Sequence, residues 1–375
     1  MPQEISRSPL RLIYAGGTIG SAGRPLAPLP AAAFLPRWEK AVAPRLAEQP
    51  DMAMPLAWSW IDPPLDSSDM GPADWVALAE AVLSAAREGA HGIVVLHGTD
   101  TMASSAAALA MLLTLLDADG KPIRRLDCPL ALTGAQRPLF EGEAVAQGTD
   151  ALANLRSAIA TTCRAEGSPQ RPALVFAERQ LPAARASKHH TAADDAFGCP
   201  KGIAWPPPLP AADPTELQAA IATISPFLGE CPVPVFHPMP EEPALQATLF
   251  EALMANDENG APAGLLLAGF GEGNLPLRAA ERMTRVIQRL RAAGAPVMVA
   301  SQVAGGPAGR AAYAAGSWLA AAGAVPAGHM ALPAAHAKLH IGAALAKAHG
   351  WSLDRLEAWL LSDIAGETLP PAPEA

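Results

Sequence analysis

Short apolar runs closed by turn residues alternate along this chain with longer segments of helical period, which is the pattern of a sheet built from βαβ units. The runs Leu10 to Ala15, Gly92 to Leu96, Pro129 to Leu132 and Ala173 to Phe176 are expected as strands. Between them, Pro72 to Glu88 places Trp75, Leu78, Ala79, Val82 and Leu83 at i, i+3, i+4, i+7 and i+8. That spacing predicts an amphipathic helix with one face on the sheet. Met102 to Leu116 is apolar nearly all round and Asp150 to Cys163 has one apolar face, so both are expected as crossover helices, the first deeply buried.

The pattern breaks between about Gly198 and Pro240. Trp205 is followed by Pro206, Pro207 and Pro208, and prolines recur at 210, 214, 226, 232, 234, 238 and 240. Proline removes a backbone donor and breaks helices, so 206–232 is expected as a linker. Beyond it the alternation resumes, with strands at Val233 to Phe236, Gly264 to Phe270 and Pro296 to Ser301 and helices at Glu242 to Ala255 and Pro276 to Ala293. The expected fold is α/β, with a large N-terminal parallel-sheet α/β domain over 1–205 and a smaller C-terminal α/β domain over 233–375. The length of 375 residues agrees with two domains at roughly 150 residues each. The final LPPAPEA is expected to fray.

Composition narrows the function. Half of the residues are apolar and 17% are charged, which excludes global disorder. The 27 basic against 36 acidic residues, a net charge of −9, exclude a broad basic surface, so neither nucleic acid nor a membrane is an expected partner. A small neutral or zwitterionic substrate fits better. The apolar stretch from Ala106 to Leu116 falls well short of the roughly 18 to 20 residues of a membrane span. The N-terminus MPQEISRSPLRLIYAGG lacks the apolar core of a signal peptide, and Cys128, Cys163, Cys199 and Cys231 are too widely spaced for a metal knuckle or redox motif. A cytoplasmic protein with structural thiols is expected.

In open α/β sheets, ligands gather beyond the carboxyl ends of the strands. Gly16-Gly17-Thr18-Ile19-Gly20 follows the first strand, His97-Gly98-Thr99-Asp100-Thr101 the second, and Thr133-Gly134-Ala135-Gln136 the third. In the second domain, Gly271-Glu272-Gly273-Asn274 follows Gly264 to Phe270. Glycines admit a ligand close to the backbone, and Thr, Asp and Asn supply short polar groups beside it. Taken singly, each segment also reads as an ordinary strand-to-helix turn with a polar cap.

In order and spacing these segments, together with Asp66-Ser67-Ser68-Asp69-Met70 and Asp150-Ala151-Leu152-Ala153-Asn154-Leu155, resemble the signature segments of the bacterial L-asparaginase family over essentially the whole chain. The resemblance implies hydrolysis of L-asparagine to L-aspartate and ammonia through an acyl-enzyme, without metal or organic cofactor. It makes Thr18 and Thr99 the nucleophile candidates, with Asp100 beside Thr99 and Lys188 as the base that a weakly acidic hydroxyl requires. It assigns Ser67, Ser68, the Asp100 carboxylate and Asn274 to the zwitterionic end of the substrate, with Asn274 contributed by a neighbouring subunit. Ala135 lies against the side-chain amide, and backbone N–H groups of the turns stabilise the oxyanion. A homodimer or homotetramer with sites between subunits is expected, as is a cytoplasmic-type member. Glutamine or another amide as substrate, or a catalytically silent homologue that binds an amino acid, are the alternatives.

Two departures from the family pattern stand out. The loop after the first motif normally carries a tyrosine, but here it reads Gly20-Ser21-Ala22-Gly23-Arg24-Pro25-Leu26-Ala27-Pro28-Leu29. The chain has just two tyrosines, Tyr14 and Tyr313. The stretch Ala311 to Val325, where the family often has a glutamate, holds no acid. Other chemistries lack their anchors: there is no GxGxxG, GxSxG or Walker A sequence. His336 and His340 share a helix face at i, i+4 without the glutamate of HExxH, so they are expected at the surface or in a subunit contact.

Overall fold

The computed structural model describes residues 8–48, 54–163, 171–253, 261–309 and 311–369. The first seven residues, nearly all of the LPPAPEA tail and the end of the helix expected to reach Ala255 lie outside the described residues. The chain forms two compact units. The first comprises Met1–Leu115, Ile123–Gly198 and Pro207–Ala219, and the second Leu116–Pro122, Cys199–Pro206 and Ala220–Ala375.

The first unit is built on a six-stranded sheet of β1 (Leu10–Gly16), β2 (Leu56–Leu65), β3 (Gly92–Leu96), β4 (Leu130–Thr133), β5 (Ala173–Phe176) and β6 (Arg179–Pro182). The strand order is β6-β5-β4-β3-β1-β2. Strands β1 to β5 are parallel, and β6 folds back antiparallel on β5. The chain moves outward from β1 to β2 and then returns to the far side of β1 for β3, so the order reverses between β1 and β3. Such a switch point opens a crevice at the carboxyl ends of the two strands, because the connections leave in opposite directions.

Helices α1 (Ala31–Ala41), α2 (Pro72–Arg87), α3 (Met102–Leu112) and α4 (Ala151–Thr162) belong to this unit. Pro72 occupies the first position of α2, where its missing N–H costs nothing, and the Asp74 carboxylate accepts the Gly71 N–H at 2.7 Å. The predicted face of Trp75, Leu78, Ala79, Val82 and Leu83 is buried. Helix α3 is buried nearly all round, but it ends four residues before the predicted Leu116, and Thr114–Leu116 is a short strand. The Thr114 hydroxyl donates to the Ala110 carbonyl and accepts from the buried Arg125 Nε at 3.0 Å.

Strand β2 is not apparent from the sequence, since Pro63 and Pro64 argue against a central strand. It is an edge strand, where a missing donor is tolerated. Its Trp58 and Trp60 join Tyr14, Phe34, Trp38 and Phe140 in one aromatic cluster beside β1. The β5–β6 turn is also hidden in the sequence: Ala177 and Glu178 both adopt positive φ, a role usually signalled by Asn-Gly.

Helix α5 (Pro214–Leu228) occupies much of the expected linker, with Pro214 as its first residue, and passes from the first unit to the second. The second unit has a four-stranded parallel sheet of β7 (Val235–Phe236), β8 (Leu265–Gly269), β9 (Val297–Ser301) and β10 (Val325–Pro326), in sequential order. Helices α6 (Pro243–Leu253), α7 (Ala280–Ala292), α8 (Ala314–Ala321), α9 (Leu332–His349) and α10 (Leu353–Leu361) accompany it. Phe236, Phe250, Leu265, Leu267, Met283, Ile287 and Val297 form its core. Of the two histidines expected at the surface or in a subunit contact, His340 is buried and His336 half-buried. Their rings lie 4.6 Å apart on α9, and His336 Nε2 donates to the Val233 carbonyl at 3.2 Å. Burial pushes the His336 pKa down; burial and then His336 push that of His340 to about 3. Lys338 on the same helix is fully buried, donating to Glu367 at 2.6 Å and to the Ser362 carbonyl. Among the described residues no group of three or more His, Cys, Asp or Glu is placed to hold a metal ion.

Candidate active site

The carboxyl ends of β1, β2, β3 and β4 deliver the four polar segments to one place in the first unit, and backbone contact between glycines brings them together. A Cβ on Gly17 would stand 2.3 Å from the Cα and N of Gly98, and one on Gly98 would stand 2.4 Å from Ser67 Oγ. A Cβ on Gly134 would stand 2.4 Å from the His97 carbonyl oxygen and 3.4 Å from Thr99 Cγ2. The segments carrying Thr18 and Ala135 are thus packed main chain against main chain on the segment carrying Thr99, and the Ser67 side chain fills the space over Gly98, an approach that glycine permits.

Thr18 opens a single 3₁₀ turn, Thr18–Gly20. Gly17 precedes it with a φ of 81° and offers its carbonyl to the Gly20 N–H at 3.1 Å and to the Ser21 hydroxyl at 2.9 Å. Of the three turn residues Thr18 alone is partly exposed. Ser67 and Ser68 lie in the 3₁₀ turn Ser67–Asp69 after β2, where Asp66 accepts the Ser68 N–H and hydroxyl, each at 2.9 Å. Ser67 is buried: its Oγ accepts the Asp100 N–H at 3.3 Å and its carbonyl accepts the Thr101 hydroxyl at 2.7 Å. Ser68 is exposed.

Thr99, 6% exposed, is held against Lys188. Lys188 Nζ donates to Thr99 Oγ1 at 3.0 Å and to Asp100 Oδ1 at 2.7 Å. The lysine arrives from far along the chain. After β6, the turn Ala183–Arg185 packs on α3, and Ser187–Lys188 pairs antiparallel with Phe197–Gly198. Asn274 belongs to the second unit, in the turn after β8, where its N–H donates to the Phe270 carbonyl at 2.7 Å.

Several supporting residues stand in the segments quoted from the sequence but were given no role there. Asp150 accepts the N–H groups of Gln136 and Arg137 at 2.8 and 2.9 Å. One turn further on, Asn154 donates to the Gly134 carbonyl at 3.0 Å and accepts the Ala177 N–H at 2.9 Å. This pair fastens the loop holding fully buried Ala135 to the β5–β6 turn. Their signal is present in the sequence, as two polar residues at i, i+4 on the face of α4 that must be buried. His97 is another: fully buried, with its Nδ1–H donating to the Gly98 carbonyl at 2.7 Å. Burial lowers its pKa, against smaller opposing effects of Gly98 and Asp74, so it is neutral.

Comparison with known proteins bears on this geometry. Residues 10–204 match the family profile described as "Asparaginase, N-terminal", and residues 242–359 match that of the "Glutaminase/Asparaginase C-terminal domain". The chain belongs to the asparaginase family. L-asparaginase 1 of Escherichia coli K12 is 30% identical over 348 residues, covering 90% of this chain and 92% of that protein. The structure of the thermostable L-asparaginase from Thermococcus kodakarensis superposes with a TM-score of 0.71 at 25% identity, over 96% of this chain and 99% of that one. A shorter stretch of 99 residues, 26% of this chain, is 48% identical to a component of the glutamyl-tRNA(Gln) amidotransferase of Pyrobaculum aerophilum, covering 20% of that protein. The two-domain asparaginase fold accounts for both α/β units, and the match to both family profiles makes the chain an asparaginase-family amidohydrolase.

Proposed function

We propose that this protein hydrolyses L-asparagine to L-aspartate and ammonia, with Thr18, Thr99, Lys188 and Asp100 carrying the chemistry. The observation that carries the reading is the contact of Lys188 with both Thr99 and Asp100, at the switch point of the sheet and against the Thr18 turn. A threonine hydroxyl needs a partner to take its proton before it attacks an amide. Lys188 engages a lone pair of Thr99 Oγ1, so Thr18 is the residue better placed to offer its own. In this mechanism Thr18 Oγ attacks the side-chain amide carbon. Lys188, beside Asp100, takes the proton through Thr99 and returns a proton to the leaving nitrogen. Ammonia departs, leaving an aspartyl ester on Thr18. Water then attacks that ester, and the same groups pass its proton back to Thr18 Oγ.

Ser67, Ser68 and Asp100 supply the polar groups for the α-amino and α-carboxylate ends, and Ala135 closes the wall beside the amide. Asn274 reaches the site from a neighbouring copy in a cytoplasmic homodimer or homotetramer. Release of ammonia from asparagine by purified protein tests the reading: activity no greater than that of a Thr99→Ala control defeats it. A panel of glutamine and other amides then separates asparaginase from related amidase activity. Mass spectrometry of the quenched reaction should place the aspartyl adduct on the peptide containing Thr18.

A further inference from the structure

The Thr18 turn rests on the side chain of Tyr14. Tyr14 is fully buried on β1, four residues before Thr18, and its hydroxyl donates to the Gly20 carbonyl at 3.2 Å. Gly20 lies so flat on the ring that a Cβ there would stand 2.3 Å from Tyr14 Cε2 and Oη. The same Gly20 carbonyl accepts the Leu29 N–H at 3.0 Å, so the carbonyl that holds the phenol also joins the two ends of the segment. Between Gly20 and Leu29 the chain makes a small hairpin, with Ser21–Ala22 paired to Ala27–Pro28 and residues 23–27 exposed. The phenol therefore sits at the neck of this hairpin and ties both of its strands to the floor beneath the Thr18 turn. That floor is stiff: the Tyr14 ring is 4.6 Å from that of Phe34 and 5.5 Å from that of Trp60.

We propose that Tyr14 is a positioning residue for Thr18, its buried hydroxyl latching the neck of the 20–29 hairpin and thereby fixing the turn from which Thr18 acts. The proposal rests on the reading of Thr18 given above. Tyr14 is no proton carrier: its own proton is committed to Gly20, and burial raises its pKa, with Leu29 opposing more weakly. A misplacement of about 1 Å at a reacting group costs on the order of a hundredfold in rate, so loosening the latch should be visible in turnover.

Tyr14→Phe keeps the ring and removes the latch. The expected result is that hydrogen exchange of the peptide spanning residues 18–30 accelerates at least tenfold, with kcat about tenfold lower, KM changed by less than twofold and the shape of the pH profile of kcat retained. Phe34→Leu, which loosens the same aromatic floor but leaves the hydroxyl in place, should lower the melting temperature more than Tyr14→Phe while slowing kcat less. Unchanged exchange in Tyr14→Phe overturns the proposal, and so does an effect on kcat equal to that of Phe34→Leu. The exchange measurement uses no substrate. A wild-type protein that releases no ammonia would therefore refute the asparaginase reading while the latch is still judged by exchange.

Discussion

Replacing Lys188 with methionine separates what this contact does for the fold from what it does for the reaction. The change removes Nζ and keeps most of the apolar stem. Two interactions are lost, the ion pair with Asp100 and the hydrogen bond to Thr99. The Asp100 side chain is 64% exposed and that of Lys188 20%, so water screens the pair, and its contribution to stability is about 0.2–1 kcal/mol. The hydrogen bond adds about 0.5–1.5 kcal/mol. The summed loss is at most about 2.5 kcal/mol, or roughly 5 to 10 °C in melting temperature for a domain of this size. Removing a positioned acid–base group instead costs about 10² to 10⁴ in rate, equivalent to about 3–5 kcal/mol of barrier. Lys188→Arg sharpens the comparison, because it can keep the charge beside Asp100 but cannot surrender a proton. Both variants should therefore melt within about 10 °C of the parent and yet lose at least a hundredfold in kcat/KM for asparagine, measured by coupled ammonia release. A kcat/KM within about threefold of the parent in either variant would refute proton transfer through Lys188. A much larger loss of melting temperature would make the residue structural.

Elsewhere in the molecule the magnitudes differ. Glu367→Gln strands the fully buried Lys338 charge and should cost about 3–5 kcal/mol in denaturant unfolding, whereas Glu367→Gln combined with Lys338→Met should recover most of that loss. His340 is held neutral with a pKa of about 3, so between roughly pH 6.5 and 3 the unfolded chain takes up a proton that the folded chain refuses. Unfolding free energy should fall by about 1.4 kcal/mol for each pH unit lowered within that window, and His340→Gln should flatten the slope. Gly98→Ala drives a methyl group to 2.4 Å from Ser67 Oγ and should lower kcat/KM about a hundredfold, while Gly71→Ala, with open space around it, should leave activity unchanged.

The parts of the fold visible in the sequence are those in which one local rule governs. Strands β3 and β5 are uninterrupted apolar runs and β1 and β4 nearly so, broken by Arg11 and closed by Thr133, because both faces of a parallel sheet are covered, and α2 shows its buried face through period alone. The hidden parts depend on tertiary position. Pro63 and Pro64 fit a strand only because β2 lies at the edge, and Ala177 takes a left-handed conformation with its N–H held by Asn154, 23 residues away. Thr18, Thr99 and Ala135 follow strands visible in the sequence, whereas Ser67 follows the hidden β2, and the roles of all four rest on the resemblance of their segments to the asparaginase signatures. Nothing local distinguishes Lys188 from a solvated lysine, and the fold carries it across 88 residues to Asp100. The two histidines of α9 misled for the converse reason, since one is buried and the other half-buried despite their polar side chains.

The order in which the chain visits its two compact units has a practical meaning. Leu116–Pro122 and Cys199–Pro206 belong to the second unit, although residues of the first precede and follow each of them. In the first of these excursions, a side chain at Gly120 would meet Trp359 and Trp351 within about 3 Å, so the excursion fills a place among residues found some 230 positions later. No single cleavage of the polypeptide can therefore release either unit with all of its own pieces. A gene fragment ending after Gly198 would code for a first unit lacking Pro207–Ala219, joined to a piece of the second with nothing to pack on.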